Sequence, residues 1–365
     1  MIRILTKKVT DWYGKYERPV SSLSLIGGFL FDILTLRRVD AFFENLWVLG
    51  HIVIVGTCMI LLHAFEANSG DEKNSDKIHF WLVNIIQFFF GGILSVFLVF
   101  YFRSGDIAVS WPFILMLVLI FWANESLKRQ YMRLTFQISL FFLSLFSTFI
   151  YLLPVILHSI SDQIFIMSGL VSLIIITIFT YILFLVNKRK FYASRRGIIF
   201  SVGGIFLIFN FLYFTNLIPP LPLSLKDSGS YHLIQKDANN NYIASYEKTD
   251  WWRFFQVYGD VHIKPNEPLY AYSAVFSPTS LNTTIVHKWQ FYNENLKQWI
   301  DSGNIELSVI GGREGGFRTY SKKVDLISGK WRVDVETLNG KLIGRLRFNI
   351  IISGASVSLE TKTLD

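Results

Sequence analysis

Apolar residues run almost unbroken through the first 225 positions of this 365-residue chain, then give way to short alternating clusters. A helix needs about 20 mostly apolar residues to cross the hydrocarbon core of a bilayer. Seven stretches meet or approach that length: Val20–Leu36, Phe42–Phe65, Phe80–Phe102, Ile107–Ala123, Met132–Leu153, Ile164–Val186 and Ile198–Ile218. The first is short and carries Asp32 near one end, so it reads either as a tilted span or as a re-entrant element. Ahead of it, Ile2, Leu5, Val9, Trp12 and Tyr16 recur at helical spacing among lysines, and Pro19 closes the segment. That pattern predicts an amphipathic helix in the inner membrane interface over 1–19.

Beyond Asn216-Leu-Ile-Pro-Pro-Leu-Pro, which cannot continue a helix, the period changes. Leu269–Phe276, Thr283–Tyr292, Ile305–Ile310, Phe317–Val324, Lys330–Thr337 and Lys341–Ile350 read as strands bounded by turn residues. Trp331, Val333 and Val335 alternate with Arg332, Asp334 and Glu336, so one face is buried and the other wet. Asn339-Gly340 predicts a hairpin, since both residues accept positive φ. The expected architecture is a polytopic helical membrane domain of about seven spans at 20–218 and a Pro-rich linker at 219–230. An all-β, immunoglobulin-like antiparallel sandwich then follows at 231–365.

Composition and charge sharpen this picture. Hydrophobic residues make up 52% of the chain and charged ones 17%, too few to cover a water-soluble surface. Positions 1–225 hold 18 Lys+Arg and 12 Asp+Glu, while 226–365 hold 17 and 15, so most of the net +8 belongs to the membrane part and its loops. The bilayer is the expected partner of those loops; no basic cluster in the soluble part calls for nucleic acid. With seven spans and the N-terminus inside, the inner side carries fifteen basic residues: Arg3, Lys7, Lys8, Lys15, Arg18, Lys73, Lys77, Lys128, Arg129, Arg133, Lys188, Arg189, Lys190, Arg195 and Arg196. The outer side carries three, Arg37, Arg38 and Arg103. Positive loops stay in the cytoplasm, so the last third is expected outside it. No cleavable leader pattern precedes the first span, which is expected to serve as an uncleaved signal anchor. The single cysteine, Cys58, lies in an apolar run, so the outer part must build its core without disulfides.

Ionisable groups inside a membrane are costly and mark candidate sites. Asp32, Glu44 and His51 are such groups, with Glu44, His51 and Cys58 spaced by seven on one helix face. The simpler reading is interhelical hydrogen bonding and snorkelling. The glycine pairs Gly27–Gly28, Gly91–Gly92 and Gly203–Gly204 are expected to let helices approach closely. In the outer part, His287, Arg313, Glu314, Arg318 and Tyr320 form a candidate recognition patch. Trp251, Trp252, Phe254 and Phe255 are candidate interface aromatics, with burial inside the domain the leading alternative. The glycines around Arg313 and Glu314 could present N–H groups to an anion, but lack the lysine and hydroxyl of a phosphate loop. No nucleophile elbow, zinc-spaced His/Cys set or metal-binding carboxylate pair occurs there, so no catalytic residue, metal ligand or cofactor is assigned.

Four ordered motifs carry a resemblance: His287-Lys-Trp-Gln-Phe-Tyr, Gly311-Gly-Arg-Glu-Gly-Gly-Phe-Arg-Thr-Tyr, Gly329-Lys-Trp-Arg-Val-Asp-Val-Glu-Thr and Gly340-Lys-Leu-Ile-Gly. From about Tyr231 to Ile350 the chain resembles an uncharacterised bacterial family, domain-of-unknown-function family 2914. The resemblance brings no activity or site residues. It implies a bacterial envelope, hence the inner membrane for the helices and the periplasm for the outer domain. The leading expectation is a non-enzymatic membrane protein presenting a recognition module to an envelope protein or cell-wall glycan. A transporter or channel component, and a membrane enzyme acting on lipid or glycan at the outer interface, are the alternatives.

Overall fold

The computed structural model describes residues 26–36, 40–68, 72–104, 107–126, 128–238, 241–248, 257–278, 281–354 and 357–364. The chain divides into two compact units, one of residues 1–102, 111–153 and 163–215, the other of residues 103–110, 154–162 and 216–365. The expected amphipathic segment at 1–19 and the aromatics Trp251, Trp252, Phe254 and Phe255 lie outside the described residues.

The first unit is helical: α1 Ile26–Thr35, α2 Phe42–Asn68, α3 Glu72–Ser104, α4 Ile107–Ser126, a 3-10 turn at Lys128–Met132, α5 Leu134–Leu157, α6 Asp162–Val186 and α7 Lys188–Phe214. Among the described residues five of these, α2, α3, α5, α6 and α7, are long and apolar enough to cross a membrane. The apolar parts of α1 and α4 are shorter. Helix α5 is the most enclosed, with Gln137, Phe142, Phe146 and Tyr151 wholly buried. Helices α6 and α7 instead turn Ile174, Ile178, Phe200, Leu207 and Phe211 outward. Such rows are stable where lipid rather than water is the solvent, so the unit is compatible with a membrane protein.

Of the three expected glycine pairs, only Gly91–Gly92 contributes a close helix approach, through Gly92. Gly27, Gly28, Gly203 and Gly204 have open space where a Cβ would stand. One tight crossing falls at the unpaired Gly169 and another at Gly92. A Cβ at Gly169 would lie 2.8 Å from the Phe206 ring, and one at Gly92 would lie 3.1 Å from the His51 ring. Phe165 and Tyr213 stack at 3.7 Å beside the first of these crossings. A glycine is needed where a neighbour's bulk arrives, and pairing along one helix does not reveal that.

The second unit is β-rich. Its strands are β1 Ser224–Tyr231, β2 Leu233–Lys236, β3 Tyr242–Glu247, β4 Gly259–Ile263, β5 Leu269–Phe276, β6 Thr283–Asn293, β7 Gln298–Val309, β8 Phe317–Lys323, β9 Gly329–Thr337, β10 Leu342–Ile352 and β11 Leu359–Leu364. They form sheets ordered β1-β5-β8, β4-β10-β9-β6-β7 and β11-β3-β2, antiparallel except for β10 with β4. The β structure begins within the expected linker, since Ser224–Tyr231 pairs with β5. Its sequence, Ser-Leu-Lys-Asp-Ser-Gly-Ser-Tyr, is too polar to read as a strand.

Every residue of β5 is buried, because both its faces are covered. Leu269, Ala271 and Val275 join Trp289, Trp331, Val333, Val335, Phe348 and others in one core. Tyr270, Tyr272 and Ala274 join Tyr231, Ile234, Ala244 and Leu364 in a second. Trp289 packs edge-on to Trp331 and Phe348, with centroids 6.4 and 6.0 Å apart. Each tryptophan removes ~200 Å² from water, worth several kcal/mol at ~25 cal/mol per Å². The β9–β10 hairpin forms, but only Gly340 of its turn has positive φ, at 73°. Gly340 donates to the Thr337 carbonyl and Thr337 to that of Lys341. This is a three-residue loop closed by one left-handed glycine, in place of the two-residue turn expected.

Candidate functional site

Polar side chains in the helical unit gather in two places. Asp32 accepts a 2.5 Å bond from the Ser95 hydroxyl and lies within electrostatic range of His51. His51 donates through Nδ1 to the Trp47 carbonyl at 2.8 Å and packs between the Trp47 and Phe89 rings. Glu44 sits half-buried in the first turn of α2 and joins neither cluster.

The larger cluster centres on Glu66, which sequence reasoning passed over because it lies one residue beyond the apolar run. Its carboxylate meets Lys190 Nζ at 2.6 and 2.9 Å, His63 Nδ1 at 3.0 Å and His79 Nε2 at 3.0 Å. His63 continues through Nε2 to Gln137 Oε1 at 2.9 Å, and Gln137 Nε2 donates to the Tyr131 carbonyl at 2.5 Å. The Tyr131 hydroxyl in turn bonds to Asn124. Three helices, α2, α3 and α7, therefore meet at one carboxylate, and α5 is tied in through Gln137.

Removing that carboxylate strands a partly buried ammonium. Breaking a buried ion pair costs ~3–5 kcal/mol, and less where water reaches the pair. Glu66→Gln is expected to destabilise the helical unit by ~2 kcal/mol in detergent melting. Adding Lys190→Met should recover part of that loss; additive losses would mean that the pairing is not what holds these helices.

In the β unit the expected patch splits. His287 is no surface residue: it is wholly enclosed between β5, β6 and β8. As β6 alternates, His287 falls on the same inward face as Ile285 and Trp289. Its Nε2 meets Ser273 Oγ and its Nδ1 meets Ser321 Oγ, both at 2.8 Å. The Trp289 indole N–H donates to Ser321 Oγ at 2.9 Å, and Ser273 Oγ lies 2.9 Å from Thr319 Oγ1. One proton arrangement satisfies the whole row. Ser321 donates to Nδ1, Nε2–H donates to Ser273, Ser273 donates to Thr319, and Thr319 donates to the Ser273 carbonyl. The imidazole is then neutral, and burial pushes its pKa down to about 4. A Ser–His–Ser row sealed from solvent fixes how the sheets meet but cannot attack a substrate.

The glycine-rich loop is likewise built for packing. Gly311 N–H donates to Asn282 Oδ1 at 3.2 Å, Gly312 N–H to the Ser277 carbonyl at 2.9 Å and Gly316 N–H to the Arg313 carbonyl at 3.0 Å. All three donors are already engaged within the protein and so are not offered to an anion. Arg313 and Glu314 are exposed at the turn between them.

Arg318 and Tyr320 do lie together. They alternate with Lys322 on one face of β8, opposite Ala274, Tyr272 and Tyr270 of β5. Tyr320 is 36% exposed, and its ring lies 5.8 Å from that of Tyr242 and 5.9 Å from that of Tyr270. Lys236 and Arg318 sit over Tyr242 at 5.1 and 5.2 Å, and Lys322 over Tyr270 at 5.9 Å. Tyr242 and Lys236 lie where no strand had been expected, so the sequence offered no means of adding them to the patch.

A further cluster was not foreseen. The Glu247 carboxylate accepts from His232 Nε2 at 3.0 Å, from His262 Nδ1 at 2.8 Å and from the His262 backbone N–H at 2.5 Å. It ties the end of β3 to β4. Hydrogen bonding to Glu247 raises the His232 pKa. Burial works against Glu247, yet the two histidines outweigh it and hold its carboxyl below the usual range. Among the described residues no group of three or more His, Cys, Asp or Glu is placed to hold a metal ion.

These observations define a chain of several apolar helices followed by a β-rich unit with its own cores and an exposed tyrosine–cation rim. Residues 282–350, from the start of β6 into β10, match the model of a family described as protein of unknown function (DUF2914). That is a narrower stretch than the 231–350 of the sequence resemblance. No curated protein matches the chain in sequence. An immunoglobulin-like protein from Pseudomonas aeruginosa aligns at 12% identity over 36% of this chain and 92% of its own, with a TM-score of 0.20. A beta-glucosidase from Listeria innocua, solved with isofagomine, aligns at 7% identity over 30% of this chain and 16% of its own, with a TM-score of 0.18. Neither superposition is close enough to carry an argument.

Proposed function

We propose that the chain is a non-enzymatic bacterial inner-membrane protein, with seven spans and its N-terminus in the cytoplasm. Its immunoglobulin-like sandwich lies in the periplasm and recognises an envelope protein or a cell-wall glycan. The observation that carries this reading is the chemistry exposed on the β unit. Its Ser–His–Ser row is sealed inside, whereas Tyr320 and its neighbouring cations face solvent on paired strands. Tyrosine and arginine on rigid elements are the residues from which recognition surfaces are made. The full chain in mild detergent is expected to be retained, saturably, by insoluble cell-wall glycan or by a defined envelope protein. Retention by neither overturns the reading.

The polar clusters around Asp32 and Glu66 favour a second reading, a transporter or channel component, since intramembrane ionisable groups often mark pathways. Flux through proteoliposomes should then fall in Asp32→Asn and His51→Ala. Unchanged flux in both removes those residues from any path.

A further inference from the structure

We propose that the rim formed by Lys236, Tyr242, Arg318, Tyr320 and Lys322 binds a saccharide chain bearing carboxylates. This rests on the recognition reading and names the ligand class and the face. Four strands from two sheets contribute to it: β2 gives Lys236, β3 gives Tyr242, β5 gives Tyr270 beneath, and β8 gives Arg318, Tyr320 and Lys322. β8 is an outer strand of its sheet, so this row stands at an edge.

Three cations gather on this face. Several basic side chains elsewhere on the β unit have acidic partners: Lys248 with Glu360 at 3.1 Å, Lys288 with Asp301 at 3.3 Å, Lys330 with Glu294 at 3.6 Å and Arg345 with Asp334 at 2.5 Å. Among the described residues, Lys236, Arg318 and Lys322 have no carboxylate within ion-pair distance and sit over tyrosine rings instead. Arg318 gives Nη1 to the Leu364 carbonyl at 2.7 Å, while its buried Nε finds no acceptor among the described residues. A face that gathers cations over tyrosine rings is complementary to an anion.

The rings narrow the class. A polyanion with no flat apolar surface would use only the cations, and a neutral sugar would use only the rings. A sugar ring offers a C–H face to Tyr320 while its carboxylate reaches Lys322 or Lys236, so an acidic saccharide engages both. Strands held by their neighbours present these groups with little ordering cost.

The test uses the full chain in mild detergent and three probes: an oligogalacturonate, its methyl ester, and polyglutamate of similar charge. Oligogalacturonate is expected to bind, with the ester and polyglutamate each weaker by about tenfold or more. Tyr320→Ala should weaken binding by about tenfold, as for an exposed aromatic anchor. Lys322→Ala should weaken it by about threefold and lessen its dependence on salt. Equal binding of acid and ester leaves no role for the carboxylate and overturns the proposal. Polyglutamate binding as tightly as the saccharide would point to an acidic protein segment and overturn it too. Retention on cell-wall glycan that persists in both variants would sink this face while leaving the recognition reading intact.

Discussion

Gly311→Ala is expected to unfold the β unit or to cost about 4 kcal/mol or more, the range reserved for changes that the backbone cannot absorb. A Cβ at Gly311 would stand 1.8 Å from the Pro278 carbonyl oxygen and 2.8 Å from that of Leu281. Both obstacles are main chain, and the segment is pinned: Leu281 N–H donates to Pro278 O, and the Ser277 hydroxyl donates to Leu281 O at 2.6 Å. Gly315, four residues on in the same loop, is the control. A Cβ there meets nothing within 4 Å, so Gly315→Ala should change stability by less than about 0.5 kcal/mol. Tryptophan fluorescence, read from the buried Trp289 and Trp331, would follow the melting of this unit in the full chain. Similar melting of the two variants would mean that Gly311 does not approach Pro278 and Leu281 as described.

The β unit should also be most stable near pH ~6.5, with a different histidine responsible for each flank. His287 is neutral in the fold, its pKa pushed by burial to about 4 from an ordinary 6.5. Between those values the unfolded chain takes up a proton that the folded one refuses. Stability therefore falls as pH drops from 6.5 towards 4, by about 3 kcal/mol at ~1.4 kcal/mol per pH unit, and this contribution is flat below. His232 behaves in the opposite sense. Glu247 raises its pKa, so its contribution is whole below 6.5 and is lost as pH rises through the folded value. Glu247 itself, held below 4.5, stabilises above that value and loses its contribution only as pH falls through its own lowered one.

Variants separate the flanks. Glu247→Gln should flatten the alkaline side and leave the fall between 6.5 and 4 in place. Ser273→Ala, which leaves the His287 Nε2–H without its acceptor, should cost about 1–3 kcal/mol across the range. A wild-type profile flat from pH 6.5 to 4 would contradict a neutral, sealed His287.

Much of this protein was legible along the chain wherever a residue's environment follows from its neighbours in sequence. Long apolar runs have one stable solvent, and an alternating Trp331-Val333-Val335 has one inward face, so the helices and the central strands could be read directly. Asn339-Gly340 marked its hairpin, though not which residue would turn left-handed. Four quoted motifs located the family match at 282–350. Tertiary structure decided the rest, because those features depend on partners far away in sequence. The polar Ser224–Tyr231 is a strand only because β5 pairs with it. Nothing in Leu269–Phe276 says that a third sheet will cover its tyrosine face. His287 read as surface chemistry because the sequence cannot show Ser273, Thr319 and Ser321 closing around it. Glu66 seemed unremarkable until Lys190, 124 residues on, supplied its counter-charge. Local pattern fixes what a residue does to its own backbone; where its polar atoms find partners is decided only when distant strands and helices meet.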